Sequence, residues 1–279
     1  MDGIILIDKE KNVTSRDVCN QVSKILNTKK IGHTGTLDPL ATGLLILCVN
    51  EGCKLQEELM GHDKDYIAKV KVGIKTDTYD ITGKVLEKCD DFHLTKDELI
   101  KTLNSFVPGY LQKVPLYSAI KVNGKKLYEY ARNNIKVDIP EHHVEIKKIE
   151  LLEFNNDSFS FFVTVSSGTY IRSLINDIGE KINIPMTMEE LKRTRIGNFH
   201  LDDAEDIDNI KIIPIIDALD IPKIEIDNDI LYKKIINGNK IDNLYQCDEI
   251  LFTKDNIPIA IYKKSEDEYL KLYRMFHIS

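Results

Sequence analysis

Apolar residues recur along this chain in distinct rhythms, and each rhythm predicts an element. Ile4, Ile5, Leu6 and Ile7 form an unbroken run, as do residues 44–49; short continuous runs of this kind read as buried strands. Elsewhere the period is two. Tyr66, Ala68, Val70 and Val72 alternate with Lys69 and Lys71, and Phe159, Phe161, Val163 and Val165 repeat the pattern, predicting half-buried strands. Helical spacing follows Ser15, with Val18, Val22, Ile25 and Leu26 expected on one face. Thr95-Lys96-Asp97-Glu98 is a capping box that predicts a helix running toward Phe106, and the spacing of Thr187 and Glu190 predicts a second one. An amphipathic helix is expected from about Arg172 to Ile182, and strands at 257–262 and 269–273. Strands and helices mix without a regular βαβ beat. The expected fold class is therefore α+β with a mainly antiparallel sheet.

Composition narrows this picture. The 279 residues include 14 Gly, 8 Pro and 5 Cys, which excludes collagen-like, low-complexity and disulfide-scaffold classes. No apolar run approaches the roughly 20 residues of a membrane-spanning helix. The start, Met1-Asp2-Gly3-Ile4, has no basic region preceding its short apolar stretch, so a cytoplasmic protein is expected. The cysteines are scattered, and Cys48 and Cys53 miss the CxxC spacing, so neither zinc nor a disulfide framework is expected. A net charge of −7 argues against a nucleic-acid partner until it is located. Residues 201–230 carry ten acids against Lys211 and Lys223; this stretch, with Pro214 and Pro222, predicts a boundary between residues 1–219 and a small β module at 220–279. Residues 111–136 carry Lys113, Lys121, Lys125, Lys126, Arg132 and Lys136 against Glu129 alone, a basic patch or simply a solvated loop.

Residues 28–43 form a loop rich in Gly, Thr and Pro, but neither GxxxxGK[ST] nor GxGxxG is present. His33-Thr34-Gly35 hints at a nucleotidyl-transfer loop, without a second histidine beside it. Asp38 precedes Pro39, which restricts it to extended conformations on a stiff turn, and nearby glycines permit close approach of a ligand. A carboxylate so placed serves as nucleophile, base or metal ligand, or it is an ordinary Asp-Pro turn.

The loop Gly32-His33-Thr34-Gly35-Thr36-Leu37-Asp38-Pro39-Leu40-Ala41-Thr42-Gly43 resembles the nucleophile loop of the TruB family, the tRNA pseudouridine(55) synthases. Four further blocks follow in the family's order. They are Asp63-Lys64-Asp65-Tyr66 with Gly73-Ile74-Lys75-Thr76-Asp77-Thr78-Tyr79-Asp80; Val114-Pro115-Leu116-Tyr117-Ser118-Ala119-Ile120-Lys121 with Gly124-Lys125-Lys126-Leu127-Tyr128-Glu129-Tyr130-Ala131-Arg132; Ser167-Gly168-Thr169-Tyr170-Ile171-Arg172-Ser173-Leu174; and Leu191-Lys192-Arg193. The resemblance covers residues 3 to about 219. The family usually has Lys-Pro-x-Gly near its start; here Lys9-Glu10-Lys11-Asn12 stands in its place, and Asn12 tolerates a left-handed backbone.

The resemblance implies a pseudouridine-synthase fold, with catalytic residues in 1–219 and an RNA-binding, PUA-like module in 220–279. It implies isomerisation of a T-loop uridine within tRNA, with Asp38 as the essential carboxylate and Arg172 as its partner. A cation there pairs with the carboxylate and holds its rotamer. Tyr66 matches the family's stacking tyrosine, whose hydroxyl is a candidate acceptor for the C5 proton. Tyr170 and Leu191 match pocket walls, and His33 the side chain that enters the T-loop. Asp80 is expected at the uracil edge, and Lys121, Lys125, Lys126 and Arg132 at RNA phosphates. No cofactor, metal, membrane or obligatory protein partner is implied, and a monomer is expected. The competing readings are a noncatalytic tRNA-binding module on the same scaffold and, from the His33 loop, a nucleotidyl transferase.

Overall fold

Two strands show why the unbroken apolar runs exist. In β1 (Gly3–Lys9), Ile5 and Ile7 belong to one hydrophobic cluster while Ile4 and Leu6 belong to another. After α1 (Ser15–Ile25) and the short β2 (Ile31–His33), β3 (Thr42–Val49) repeats this, with Leu45, Leu47 and Val49 on one face and Leu44, Ile46 and Cys48 on the other. Strands buried on both faces have no polar side to alternate with. A turn at residues 50–55 and α2 (Gln56–Met60) lead to β4 (Lys64–Val72), which alternates because one of its faces meets solvent: Ala68 and Val70 are fully buried, whereas Ile67 is 38% exposed.

The structure, a computed structural model, describes residues 2–133, 135–266 and 269–277. The chain continues through β5 (Ile74–Thr76), β6 (Val85–Lys88), α3 (Lys96–Asn104) and β7 (Gly109–Lys113). Next come the small hairpin β8 (Lys121–Val122) and β9 (Lys125–Lys126), α4 (Leu127–Arg132), β10 (Glu141–Phe154) and β11 (Ser158–Val165). Then follow α5 (Ile171–Ile182), β12 (Met186–Ile196), β13 (Phe199–His200) and β14 (Ile212–Pro214). Among the described residues these strands build a ten-stranded sheet in the order β14-β1-β3-β12-β4-β11-β10-β7, with β13 on β12 and β2 on β3. All its ladders are antiparallel except β12 against β3. Helices α1, α3 and α5 cover one face through Val18, Val22, Leu99, Leu103, Leu174 and Ile178.

The other face is covered near β1 and β3 by the end of the chain. There β15 (Lys223–Glu225), α6 (Asp229–Ile236), β16 (Ile241–Asp242), β17 (Glu249–Lys254), β18 (Ile257–Lys264) and β19 (Tyr269–Met275) form a five-stranded sheet with one helix. Leu251, Ile261 and Phe276 share a core with Ile4, Leu6, Leu44 and Ile46.

Two expectations change. The Thr187–Glu190 spacing starts no helix: it lies inside β12, where pairing with β4 decides the backbone and the Thr187 hydroxyl meets that of Thr76 at 3.1 Å. Ile25 is 55% exposed, because the buried face of α1 runs through Ser15, Val18, Cys19 and Val22. The helix capped by Thr95 forms as expected, with both capping-box bonds in place, and runs toward Phe106 as far as Asn104. The expected Asn12 turn is left-handed, at φ 67°.

Candidate active site

The Asp38 loop is fixed from three sides before its carboxylate meets anything. The buried Ser15 hydroxyl, at the start of α1, bonds the Leu37 N–H at 2.9 Å and the Leu37 carbonyl at 3.2 Å. Asn12, in its left-handed turn, donates its N–H to the Pro39 carbonyl at 2.7 Å. Leu37 and Leu40 are buried in the main core, so Asp38 between them turns outward and is 34% exposed at its side chain.

Arg172 comes from the first turn of α5 and is 7% exposed at its side chain. Its Nε lies 2.7 Å from Asp38 Oδ2 and its Nη2 3.2 Å from Oδ1, a two-pronged pair. Two further donors are used on backbone: Nη1 to the Thr78 carbonyl at 2.9 Å and Nη2 to the Tyr117 carbonyl at 3.2 Å. One guanidinium therefore ties together the loops of residues 34–41, 76–83 and 114–120. A cation in the first helical turn opposes the helix dipole; the four oxygens supplied by other segments explain its presence.

Asp80 is 7% exposed, and its Oδ1 accepts from the Thr78 hydroxyl, the Thr82 N–H and the Thr82 hydroxyl. Its Oδ2 lies 4.0 Å from Arg172 Nη1. The neighbouring Tyr79 is left-handed at φ 61°, which is uncommon for a residue with a side chain, and its carbonyl is pinned by the Met188 N–H of β12 at 3.0 Å. Tyr170 caps α5; burial and the nearby Asp38 push its phenol up while Arg172 pulls it down. Tyr66 and Leu191 stand on the adjacent strands β4 and β12, 7% and 8% exposed, in the same core as Leu37 and Leu40.

Of the expected site residues, Asp38, Arg172, Asp80 and Tyr170 form one cluster, with Tyr66 and Leu191 in the core beneath the loop. His33 lies at the end of β2, half-buried; burial, with Arg16 and Arg193 nearby, lowers its pKa. Lys121, Lys125, Lys126 and Arg132 lie on the β8–β9 hairpin and α4. Lys126 and Arg132 each approach the Tyr128 ring at 5.4 Å.

Three buried cations went unrecognised as parts of the site. Arg193, 1% exposed, bonds the carbonyls of Leu44 and Gly35. It lies where β12 pairs with Gly43, whose φ is 98°; a Cβ there would stand 2.3 Å from the Arg193 carbonyl oxygen. Lys64 donates to the carbonyls of Met60 and His62. Lys9, fully buried, donates to those of Glu10 and Val13 and so braces the Asn12 turn. Burial lowers Lys9 to about 8, against the pull of Asp38, and Lys64 likewise to about 8.

The sign of the Lys9 effect is fixed. Below about pH 8 Lys9 is charged in both folded and unfolded chains, and its burial penalty is constant. Between about 8 and 10.5 the unfolded chain retains a proton that the folded chain has released, so stability rises with pH. Urea unfolding at about pH 7.5 and about pH 9.5 should therefore show the parent gaining stability relative to Lys9→Met at the higher pH. A difference that stays flat would contradict this.

The ten-stranded mixed sheet, with a partly exposed aspartate held by a buried arginine beside Asp80 and Tyr170, is the fold and arrangement of a pseudouridine-synthase-class protein, as the following likenesses show. A chain in the crystal structure of a Cbf5-Nop10-Gar1 complex shares the fold with a TM-score of 0.72 at 23% identity, over 99% of this chain and 85% of that one. A chain of the archaeal box H/ACA sRNP Nop10-Cbf5 complex does so at 0.68 and 21%, over 99% and 86%. The model of the TruB family pseudouridylate synthase (N terminal domain) matches residues 23–171. The tRNA pseudouridine synthase B of Clostridium tetani is 40% identical over 98% of this chain and 95% of its own length; that of Mycoplasma mobile is 43% identical over 92% and 89%. The chain belongs to the TruB family of pseudouridylate synthases. Among the described residues no helix is long and apolar enough to cross a membrane.

Proposed function

We propose that this chain converts the T-loop uridine at position 55 of tRNA to pseudouridine, with Asp38 as the essential carboxylate. The observation that carries the reading is the two-pronged Arg172–Asp38 pair in a chain of this family. In the reaction the N1–C1′ bond breaks, the base turns, and C5 bonds to C1′. The C5 hydrogen leaves as a proton and N1 gains one, so the product is an isomer and no electrons are exchanged.

A uridine inside a folded loop must first leave its stack, at a cost of a few kcal/mol. Stacking on an aromatic ring returns about 1–3 kcal/mol. Tyr66 supplies that ring and its hydroxyl relays the C5 proton, taking it up as its own proton passes on to solvent, Tyr170 and Leu191 wall the pocket, and Asp80 Oδ2 faces the uracil edge. Burial favours the neutral form of His33, which suits a ring that enters the T-loop in place of a base. Residues 220–279 serve as a second RNA-binding module, and the enzyme works as a cytoplasmic monomer.

Recognition of the T-arm rests on shape and phosphates, and the hairpin lysines contribute to it. With Lys125→Gln and Lys126→Gln combined, the slope of log affinity against log salt should become shallower by about 1–2. An unchanged slope would remove them from the interface. The function itself is tested with a T-arm stem-loop carrying uridines tritiated at C5, because joining through C5 must release that hydrogen to water. Release supports the isomerase. Absence of release from RNA shown to bind would leave a noncatalytic tRNA-binding module.

A further inference from the structure

The edge strand β7 is fastened to α5 along its length, and the fastening converges on the residue that presents Arg172. Gln112 is fully buried in the strand. Its Oε1 accepts the Tyr170 N–H at 2.8 Å, and its Nε2 donates to the Tyr170 carbonyl at 3.1 Å and to the Tyr110 hydroxyl at 2.7 Å. Both amide hydrogens have acceptors and the amide oxygen has a donor. Turning the amide over would set N–H against N–H at Tyr170, so its orientation is determined. Tyr110 passes the connection on, donating to Asp177 Oδ2 at 2.7 Å further along α5. The Ser173 hydroxyl bonds the Lys113 carbonyl at 2.9 Å.

Tyr170 has no side-chain cap of its own at the start of α5. Gln112 provides the restraint from another strand. The chain leaving β7 then reaches Tyr117, whose carbonyl accepts from Arg172. The same stretch thus grips the arginine at its backbone approach and at its guanidinium.

We propose that Gln112 is a positioning residue for the isomerisation: by holding the N–H and the carbonyl of Tyr170 it sets the Tyr170 ring and the Arg172 guanidinium against Asp38. This rests on the reading of Asp38 and Arg172 given above. Gln112 touches no substrate, so its effect should fall on the rate and not on RNA affinity.

The test compares the parent with Gln112→Leu, which keeps the volume and removes every hydrogen bond. Single-turnover tritium release, RNA Kd and Tm are measured for each. The release rate should fall about 10–100-fold, as for modest misplacement of a reacting group, while Kd stays within about threefold. Gln112→Glu, which keeps the acceptor for the Tyr170 N–H, should recover part of the rate. Adding Gln112→Leu to Arg172→Lys should slow the reaction little beyond Arg172→Lys alone, since both act through one guanidinium; independent damage would multiply. A rate within about threefold of the parent, an equal loss of rate and affinity, or full multiplication would each overturn the inference. Should Gln112→Leu fail to fold, Tyr110→Phe keeps the ring edge-on to Phe106 and removes only the hydroxyl. Its rate should still fall by about 3–10-fold, and a parent-like rate would overturn the inference. A parent that releases tritium beside an unimpaired Gln112→Leu counts against Gln112 alone; a silent parent overturns the function as well.

Discussion

Asp38→Asn is expected to bind T-arm RNA and to release no tritium above background, a loss on the order of 10⁴-fold or more, typical of removing the group on which a site's chemistry depends. The fold should survive. The loop is held by Ser15, Asn12 and the burial of Leu37 and Leu40, none of which uses the Asp38 side chain. Arg172 retains the carbonyls of Thr78 and Tyr117, with Asp80 4.0 Å away. Asparagine is nearly the same size and keeps one acceptor, so the substitution removes charge and nucleophilicity while leaving shape. Normal binding, an intact thermal transition and parent-like release together would remove Asp38 from the chemistry.

Arg172→Lys should be the second most damaging change, slowing single-turnover release by about 10²–10³-fold. An ammonium carries the same charge, but it has no planar fork to meet Oδ1 and Oδ2 together while also reaching two carbonyls. Asp38 would keep a nearby cation and lose its fixed orientation. Arg172→Met goes further, leaving the Thr78 and Tyr117 carbonyls without their donor at a cost of about 1–3 kcal/mol each where they stay dry. Urea unfolding should show that loss for Arg172→Met and a smaller one for Arg172→Lys. A lysine variant with parent-like turnover would mean that charge alone suffices at this position.

The proposed reactive residue stands out in the sequence because backbone and side chain mark it together. Asp38 sits in a stretch whose Gly and Pro residues prescribe an unusual path, and whose neighbours resemble one family throughout. Strand positions were legible where burial is simple: β1 and β3 as unbroken runs, β4 and β11 as alternation. The misread helix start at Thr187 shows the limit. Four residues fit a capping box, yet β4 offers that segment a full antiparallel partner, and the longer-range pairing decides. Lys9, Arg193 and Gln112 were hidden for a related reason. A lysine at a strand end, an arginine after Leu191-Lys192 and a glutamine among exposed residues all read as surface groups. Arg193 and Gln112 are buried because groups of distant segments satisfy them, and Lys9 because the turn after it folds its own carbonyls back onto the ammonium; those partners become visible only once the chain has folded.

The two-sided burial of β1 and β3 bears on how this protein is made. During synthesis the first strands leave the ribosome long before residues 220–279, which carry Leu251, Ile261 and Phe276. Until those arrive, the strip of Ile4, Leu6, Leu44 and Ile46 shares its core with Leu55, Leu59, Ile196, Ile215, Ala218 and Leu219 and is left partly uncovered. Nascent chains in that condition are exposed to aggregation and to chaperone capture. A recombinant fragment ending near residue 219 would be left permanently at that stage, prone to precipitate even with its Asp38 loop intact. The closing sheet thus acts as a fold-completing cover on the enzyme's first strands.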